Sequence, residues 1–348
     1  MLCITRHETD PYFNLAAEEY VMEQFDRDCF MLWRNAPAII VGRHQNTLAE
    51  INADYVRENG IKVVRRLSGG GAVFHDLGNL NFTFIAGGSA HSSAYGSAHG
   101  ANGTSGANGD GSPSRLDFRR FTQPILDVLQ ALGVDARFEG RNDLTIDGRK
   151  FSGNAQYVRG ERVLHHGTLL FSGRMSDLSA ALRVDPSKFA DKAVKSVRSR
   201  VTNISEHLPQ PMTVLEFRDR VMAHVMEATP GAEPYTFTPA DVRAIERLRD
   251  EKYATWEWNF GHSPRYNYRK ATRTAGGQIE VALDVVNGTI AGARIFGDYF
   301  NRLDPADIEA ALVGAAHQEA ALRGRLAGFD IADYFVNVSA DELMSVLI

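Results

Sequence analysis

The chain has 348 residues, of which 44% are hydrophobic and 23% charged, and its net charge is -5. That length favours two domains, that balance supplies a core, and the lack of a basic excess gives no reason to expect a nucleic-acid binder. No run approaches the roughly 20 apolar residues of a membrane span. The opening Met1-Leu2-Cys3-Ile4-Thr5-Arg6-His7 holds no signal-peptide core, so a cytoplasmic protein is expected. Cys3 and Cys29, the two cysteines, build neither a disulfide framework nor a Cys-rich zinc site.

Residues 14–25, with Leu15, Ala16, Tyr20, Val21 and Phe25 spaced for one face, predict an amphipathic helix. Residues 30–33 and 38–41 predict strands on either side of Asn35-Ala36-Pro37. A helix is expected over 47–59, closed by Gly60. A strand over 62–67 runs into Gly69-Gly70-Gly71, and 80–85 resumes a strand. The stretch 87–114 holds eight glycines, one charged residue (Asp110) and no Leu, Ile, Val, Met or Phe. It reads as a disordered loop insertion within one domain, which costs little when a surface loop lengthens. Its histidines, His91 and His99, are expected in solvent. A helix over 118–132 ends at Gly133, and 136–171 is strand-like with turns at Asp147-Gly148 and Arg159-Gly160-Glu161. Helices follow at 175–184, 214–227 and 241–252. The expected division is a domain of residues 1–250 and a second of 251–348. In the second, 278–285 and 289–296 form a hairpin about Asn287-Gly288, followed by two helical stretches.

The densest chemistry lies in Arg65-Arg66-Leu67-Ser68-Gly69-Gly70-Gly71-Ala72-Val73-Phe74-His75-Asp76. Three glycines leave backbone N–H groups open to close approach, and two arginines offer planar donors for phosphate or carboxylate. An anionic ligand is one reading; a Gly-rich turn with exposed arginines is the other. The run is neither a P-loop nor a G-x-G-x-x-G fingerprint. A second cluster is Gly140-Arg141-Asn142-Asp143-Leu144 with Gly148-Arg149-Lys150-Phe151-Ser152-Gly153-Asn154-Ala155. Lys150 leaves a turn beside small residues, where it could lean over a phosphate as a point charge or stand in solvent. The third is His165-His166-Gly167-Thr168. Neighbours on a strand face opposite sides, so the two histidines are poor joint metal ligands and at least one is structural.

Residues 66–79, 150–155 and 165–170 together resemble the three signature stretches of lipoate-protein ligases. Gly42-Arg43-His44-Gln45-Asn46 is similar to that family's lipoate-tunnel segment, and Ser196-Val197-Arg198-Ser199-Arg200-Val201-Thr202-Asn203 is another matching stretch. Trp256-Glu257-Trp258-Asn259-Phe260-Gly261 resembles the start of its C-terminal accessory domain. The resemblance implies an α+β architecture: the biotin/lipoate protein ligase catalytic fold, a mixed sheet packed by helices, then a small α+β accessory domain.

The activity it implies is ATP-dependent ligation. Lipoate, or octanoate, becomes an acyl-AMP with release of pyrophosphate, and the acyl group passes to a lysine of a lipoyl domain of a 2-oxoacid dehydrogenase E2 subunit or of the glycine cleavage H protein. The resemblance makes Lys150 catalytic, bridging the α-phosphate and the acyl carbonyl. It gives Arg66, Ser68, Gly71, Ala72, Val73, Phe74, His75, Asn142, Asp143 and Lys150 to ATP and the adenylate, and Gly42, Arg43, Arg66, His75 and His166 to lipoate. Mg²⁺ would arrive on the ATP phosphates.

Physical logic agrees: a carboxylate and ATP are both anions, so their meeting needs positive charge at the α-phosphate. A related acyl transferase would need a cysteine nucleophile. No cysteine follows Cys29, which reads as a small buried hydrophobe. A biotin ligase would carry a different glycine-arginine signature, and an inactive binding module would not need Lys150, Arg66 and the glycine triplet together. Residues 188–200, with five basic residues against Asp191, read either as a solvated face or as a guide for an acidic acceptor. Trp256 and Trp258, two apart, share a face if the segment is extended and are expected to serve packing.

Overall fold

The computed structural model describes residues 1–45, 47–87, 117–174, 181–182, 201–260, 268–286, 289–317 and 319–348. The insertion beyond Gly87, the helix expected at 175–184 apart from residues 181 and 182, the basic run 188–200 and the turn at 287–288 lie outside the described residues. In chain order the strands are β1 (Leu2–Thr5), β2 (Cys29–Trp33), β3 (Ala38–Val41), β4 (Lys62–Arg65), β5 (Val73–His75), β6 (Asn79–Gly87) and β7 (Ala136–Glu139). Then come β8 (Asp143–Ile146), β9 (Arg149–Arg159), β10 (Arg162–Leu170), β11 (Glu233–Pro234), β12 (Tyr268–Thr274), β13 (Gly277–Val286) and β14 (Thr289–Gly297). The chain forms two compact units, one of residues 1–38, 74–179 and 192–254, the other of 39–73, 180–191 and 255–348. Among the described residues no helix is long and apolar enough to cross a membrane.

The first unit is built on an eight-stranded mixed sheet of order β11-β1-β2-β6-β10-β9-β8-β7. β1 runs parallel to β2 and β11, and β2, β6, β10, β9, β8 and β7 pair antiparallel in turn. Because strand side chains alternate, register decides which residues share a face. Phe30, Phe84 and His165 stand side by side, as do Leu32 and Phe82. That face is the core. Helix Phe118–Ala131 covers it with Phe121, Ile125, Val128 and Leu129, and helix Val214–Ala228 with Phe217, Val221 and Val225. The second helix starts at a capping box, Thr213 with Glu216, which satisfies its first N–H groups. Each fully buried aromatic ring here contributes about 1.5–3 kcal/mol.

The opposite face is polar: Trp33, Asn81 and Thr168 form one row, and Met31, Thr83, His166 and Ala155 the next. Helix Pro11–Gln24 lies over it, opened by the Asp10 cap and Pro11. This helix is buried on more than its apolar stripe. Asn14, Glu18 and Glu19 are all buried, Glu18 against Thr83 and His166, Glu19 against the Lys252 amine at 2.7 Å. The expected helix is present but not the expected amphipathic face: residues 13–19 are buried without a break, Tyr20 is half-buried, and Phe25 lies past the helix end in extended backbone.

The second unit contains the antiparallel sheet β12-β13-β14, closed by helices Ala306–Leu312, Glu319–Leu326 and Ala340–Leu347 over a core that includes Ile279, Val281, Leu283, Ile295, Leu312, Leu322 and Leu343. The helix expected over 47–59 divides into Thr47–Glu50 and Ala53–Glu58. Ile51 leaves the helix to form a bridge with Leu182, and the Asn52 N–H donates to Ala181 O at 3.0 Å. Residues 256–259 form a short helix, not the extended segment on which two tryptophans would share a face.

Candidate active site

In the first unit Asn142, Asp143, Lys150 and His166 sit on or beside strands of the large sheet, whereas Phe74 and His75 lie on β5, outside that sheet. β9 carries a bulge opposite β8: Leu144 pairs with Ser152, whereas Thr145 pairs with Lys150. One extra residue bends the strand and re-aims Lys150. The Lys150 amine meets Asp143 Oδ1 at 2.7 Å, with 41% and 38% of the two side chains exposed. A pair that open is worth about 0–1 kcal/mol, so the amine is held yet easily surrendered to a stronger anion. Asn142 fastens the neighbouring backbone: its side chain donates to Asn154 O, and the Asn154 amide returns a bond to Asn142 O at 3.0 Å.

His75 and Phe74 are buried on β5. Asn14 donates to Asn35 Oδ1 at 3.0 Å, which turns the Asn35 amine toward His75 Nδ1 at 3.1 Å. Nδ1 thus accepts, and a neutral His75 carries its proton on Nε2. His166 lies on the polar face of the large sheet beside Thr83, its Nδ1 at 2.9 and 3.0 Å from the two Glu18 oxygens. Thr83 donates to Glu18 at 2.6 Å and accepts from Trp33 Nε1 at 2.9 Å. Glu18, Trp33, Asn35 and Thr83 were not among the predicted site residues. Two consecutive glutamates inside an apolar helix, and the polar-apolar alternation Asn79-Leu80-Asn81-Phe82-Thr83-Phe84, were the signals that could have found them.

His165 is the structural histidine of the adjacent two. It is fully buried, stacked on Phe121 at 5.1 Å, with Gln156 donating to its Nδ1 at 2.9 Å. Burial in this apolar layer pushes its pKa well below 6.5.

In the second unit, Gly42, Arg43, Arg66, Ser68 and Gly71 come together, while Ala72 and Val73 follow half-buried. The Arg66 side chain donates to Ser68 Oγ (3.0 Å), Gly69 O (2.6 Å), Gly71 O (2.9 Å) and Ile40 O (3.2 Å), so it shapes the glycine loop from inside. Arg43 N donates to Ser68 O at 2.9 Å, which docks the 42–45 turn on that loop. A Cβ on Gly42 would stand 1.9 Å from Gly70 O, so only glycine permits this approach. The Arg43 guanidinium lies over the Trp258 ring at 5.0 Å and 3.7 Å from Asp304.

Two expectations are corrected here. The glycine triplet does not present three open backbones: the Gly70 N–H donates to Tyr299 O at 3.3 Å, and a Cβ on Gly69 would lie 2.1 Å from the same oxygen. Gly71 alone of the three has open space around it. Arg65, in turn, is not an anion ligand. Fully buried, it donates to Gly42 O, Arg43 O, Gln45 O, Thr47 Oγ1, Asn259 O and Trp258 O at 2.7–3.2 Å. Neutral oxygens occupy all its donors. Burial lowers its pKa to about 9, which leaves it a cation at neutral pH.

Both thiols are buried and unbridged, and burial pushes Cys3 up to about 11 and Cys29 up to about 12. Neither supplies the thiolate that an acyl-thioester carrier requires.

Residues 10–100 and 102–226 match the lipoyl protein ligase A/B catalytic domain family, and 263–347 match the bacterial lipoate protein ligase C-terminus. The chain belongs to the lipoate-protein ligase family. Lipoate-protein ligase LplJ of Bacillus subtilis is 40% identical over 97% of each chain. The solved lipoate-protein ligase of the bipartite Thermoplasma acidophilum system, described with its E2 lipoyl domain, is 28% identical, with a TM-score of 0.60 over 76% of this chain and 98% of that one. A lipoate-protein ligase A bound with ATP is 25% identical, with a TM-score of 0.59 over 75% of this chain and 99% of that one. The protein is thus a lipoate-protein ligase, and its α+β architecture is that of the family.

Proposed function

We propose that this ligase joins lipoate to its acceptor in two steps, through a lipoyl-adenylate. The observation that carries the reading is the Lys150 amine, bulged out of β9 and paired with a half-exposed carboxylate. An amine so placed can pass from Asp143 to the α-phosphate of ATP and offset the charge that builds as the lipoate carboxylate attacks. Arg66, Ser68 and Gly71 to His75 serve ATP and the adenylate, with Asn142 and Asp143; Gly42, Arg43, Arg66, His75 and His166 serve lipoate.

Among the described residues no group of three or more His, Cys, Asp or Glu is placed to hold a metal. Mg²⁺ carried on phosphate oxygens would keep most of its waters and take one or two carboxylates. Asp143 is the carboxylate beside the amine that could serve it. When bound, the ion supplies charge neutralisation at the phosphates. In the second step a neutral lysine of a lipoyl domain, from an E2 subunit or the H protein, attacks the mixed anhydride and AMP leaves. The activated acyl group needs no enzyme nucleophile, in keeping with the buried thiols. The place of action is the cytoplasm.

Incubation with lipoate, Mg-ATP and an apo lipoyl domain, read by intact mass and pyrophosphate release, tests this. Lys150→Ala is expected to lower adenylate formation about a hundredfold, equivalent to about 3 kcal/mol. A wild-type rate without this amine would end the assignment.

A further inference from the structure

We infer that Gly153 is a positioning residue for the Lys150 amine, an assignment that rests on the ligase reading above and deepens it. The Lys150 backbone is anchored by the bulge on one side; on the other it bridges Val201, and its carbonyl accepts from Thr202 N at 3.0 Å. With the backbone so held, the side chain runs forward along β9 and lies over Gly153. A Cβ on residue 153 would stand 3.0 Å from Lys150 Nζ and 3.1 Å from its Cε, and, the adjoining residues 152–154 aside, no other heavy atom of the described residues comes within 4 Å of that point. Asp143, which receives the amine, is the cross-strand partner of Gly153.

Glycine is not required here by the backbone, because the φ of Gly153 lies outside the left-handed region where glycine is favoured. Thr168 Oγ1 accepts from its N–H at 3.2 Å, and alanine would leave that bond in place. What glycine provides is an empty place where the amine rests. Contrast Gly167, where a Cβ would meet Asn154 Oδ1 at 2.2 Å and the Phe82 ring at 2.5 Å, both packed inside the unit. A methyl group at 167 disturbs the core; a methyl group at 153 disturbs one ammonium. Gly153→Ala therefore moves the charge while retaining it, and a displacement near 1 Å is enough to cost up to about a hundredfold in rate.

The experiment compares wild type, Gly153→Ala, Lys150→Ala and the double variant. Three readouts are taken: pyrophosphate release at saturating lipoate and Mg-ATP, Tm, and the rate at which each lysine is acetylated by a small anhydride, followed by peptide mass. Gly153→Ala is expected to hold Tm within about 2 °C, to lower kcat of adenylate formation about tenfold or more, and to leave KM for lipoate unchanged. Lys150 acetylation should change severalfold while Lys62 and Lys252 react as before. In the Lys150→Ala background the Gly153 substitution should have no further effect, since its target is gone.

An equal fractional loss in that background, or unchanged Lys150 acetylation in Gly153→Ala, overturns the inference. Should Lys150→Ala itself keep the wild-type rate, the catalytic reading of Lys150 falls. The acetylation arm then still decides whether Gly153 places the amine.

Discussion

Two cationic regions of this enzyme handle charge in opposite ways. Arg65 is sealed, its guanidinium ringed by the carbonyls of Gly42, Arg43, Gln45, Trp258 and Asn259 and by Thr47. Lys150 is half-exposed, with an ion pair to Asp143 and an empty glycine surface beneath it. The sealed cation fixes backbone, whereas the open one is available to a substrate. A cation beside a glycine run is therefore not a ligand group by composition alone; what matters is whether its donors are already satisfied.

The largest expected effect probes the sealed region. Arg65→Met should lower unfolding stability by about 3 kcal/mol or more, because several buried carbonyls lose their donor at once. Lys150→Ala, by contrast, should leave stability within about 1 kcal/mol while lowering adenylate formation about a hundredfold. Urea titrations of both variants, each beside its adenylation rate, would erase the contrast if they gave equal stabilities.

A second sealed group lies on the core face of the sheet. His165 titrates well below 6.5 in the folded chain and near 6.5 in the unfolded one. Between those values the unfolded chain binds a proton that the folded chain refuses. Stability is thus complete above pH 6.5 and falls as pH drops below it, by about 1.4 kcal/mol per pH unit. Burial also lowers His44 to about 3, so unfolding curves from pH 7 to pH 5 should be steeper than this single-group slope, and His165→Gln should remove the His165 share of about 1.4 kcal/mol per pH unit. The smallest effect is expected at the open region: Asp143→Asn should change stability by about 1 kcal/mol at most, measured by the same titrations.

Much of the sheet was legible from periodicity, since 30–33, 38–41 and 136–171 carry strand signals and strands form there. The opposed faces of His165 and His166 follow from alternation alone. Arg65 and Arg66 could not be told apart, because what separates them is contact with Trp258 and Asn259, more than 190 residues along the chain. The burial of Glu18 was hidden for a similar reason: its partners are Thr83, 65 positions on, and His166, 148 positions on. The glycine triplet misled because sequence shows where backbone is bare of side chains, not that Tyr299 already occupies the space. β12 was missed, as its exposed, charged Arg269-Lys270 and Arg273 mask the strand pattern.

The concealment of Cys3 and Cys29 has a practical corollary. With 3% and 1% of these residues accessible, neither competes for a maleimide under native conditions. A single cysteine introduced at an exposed loop position would become a unique attachment point for a fluorophore or spin label. Distances within this ligase could then be followed in solution without first stripping out its native sulfur.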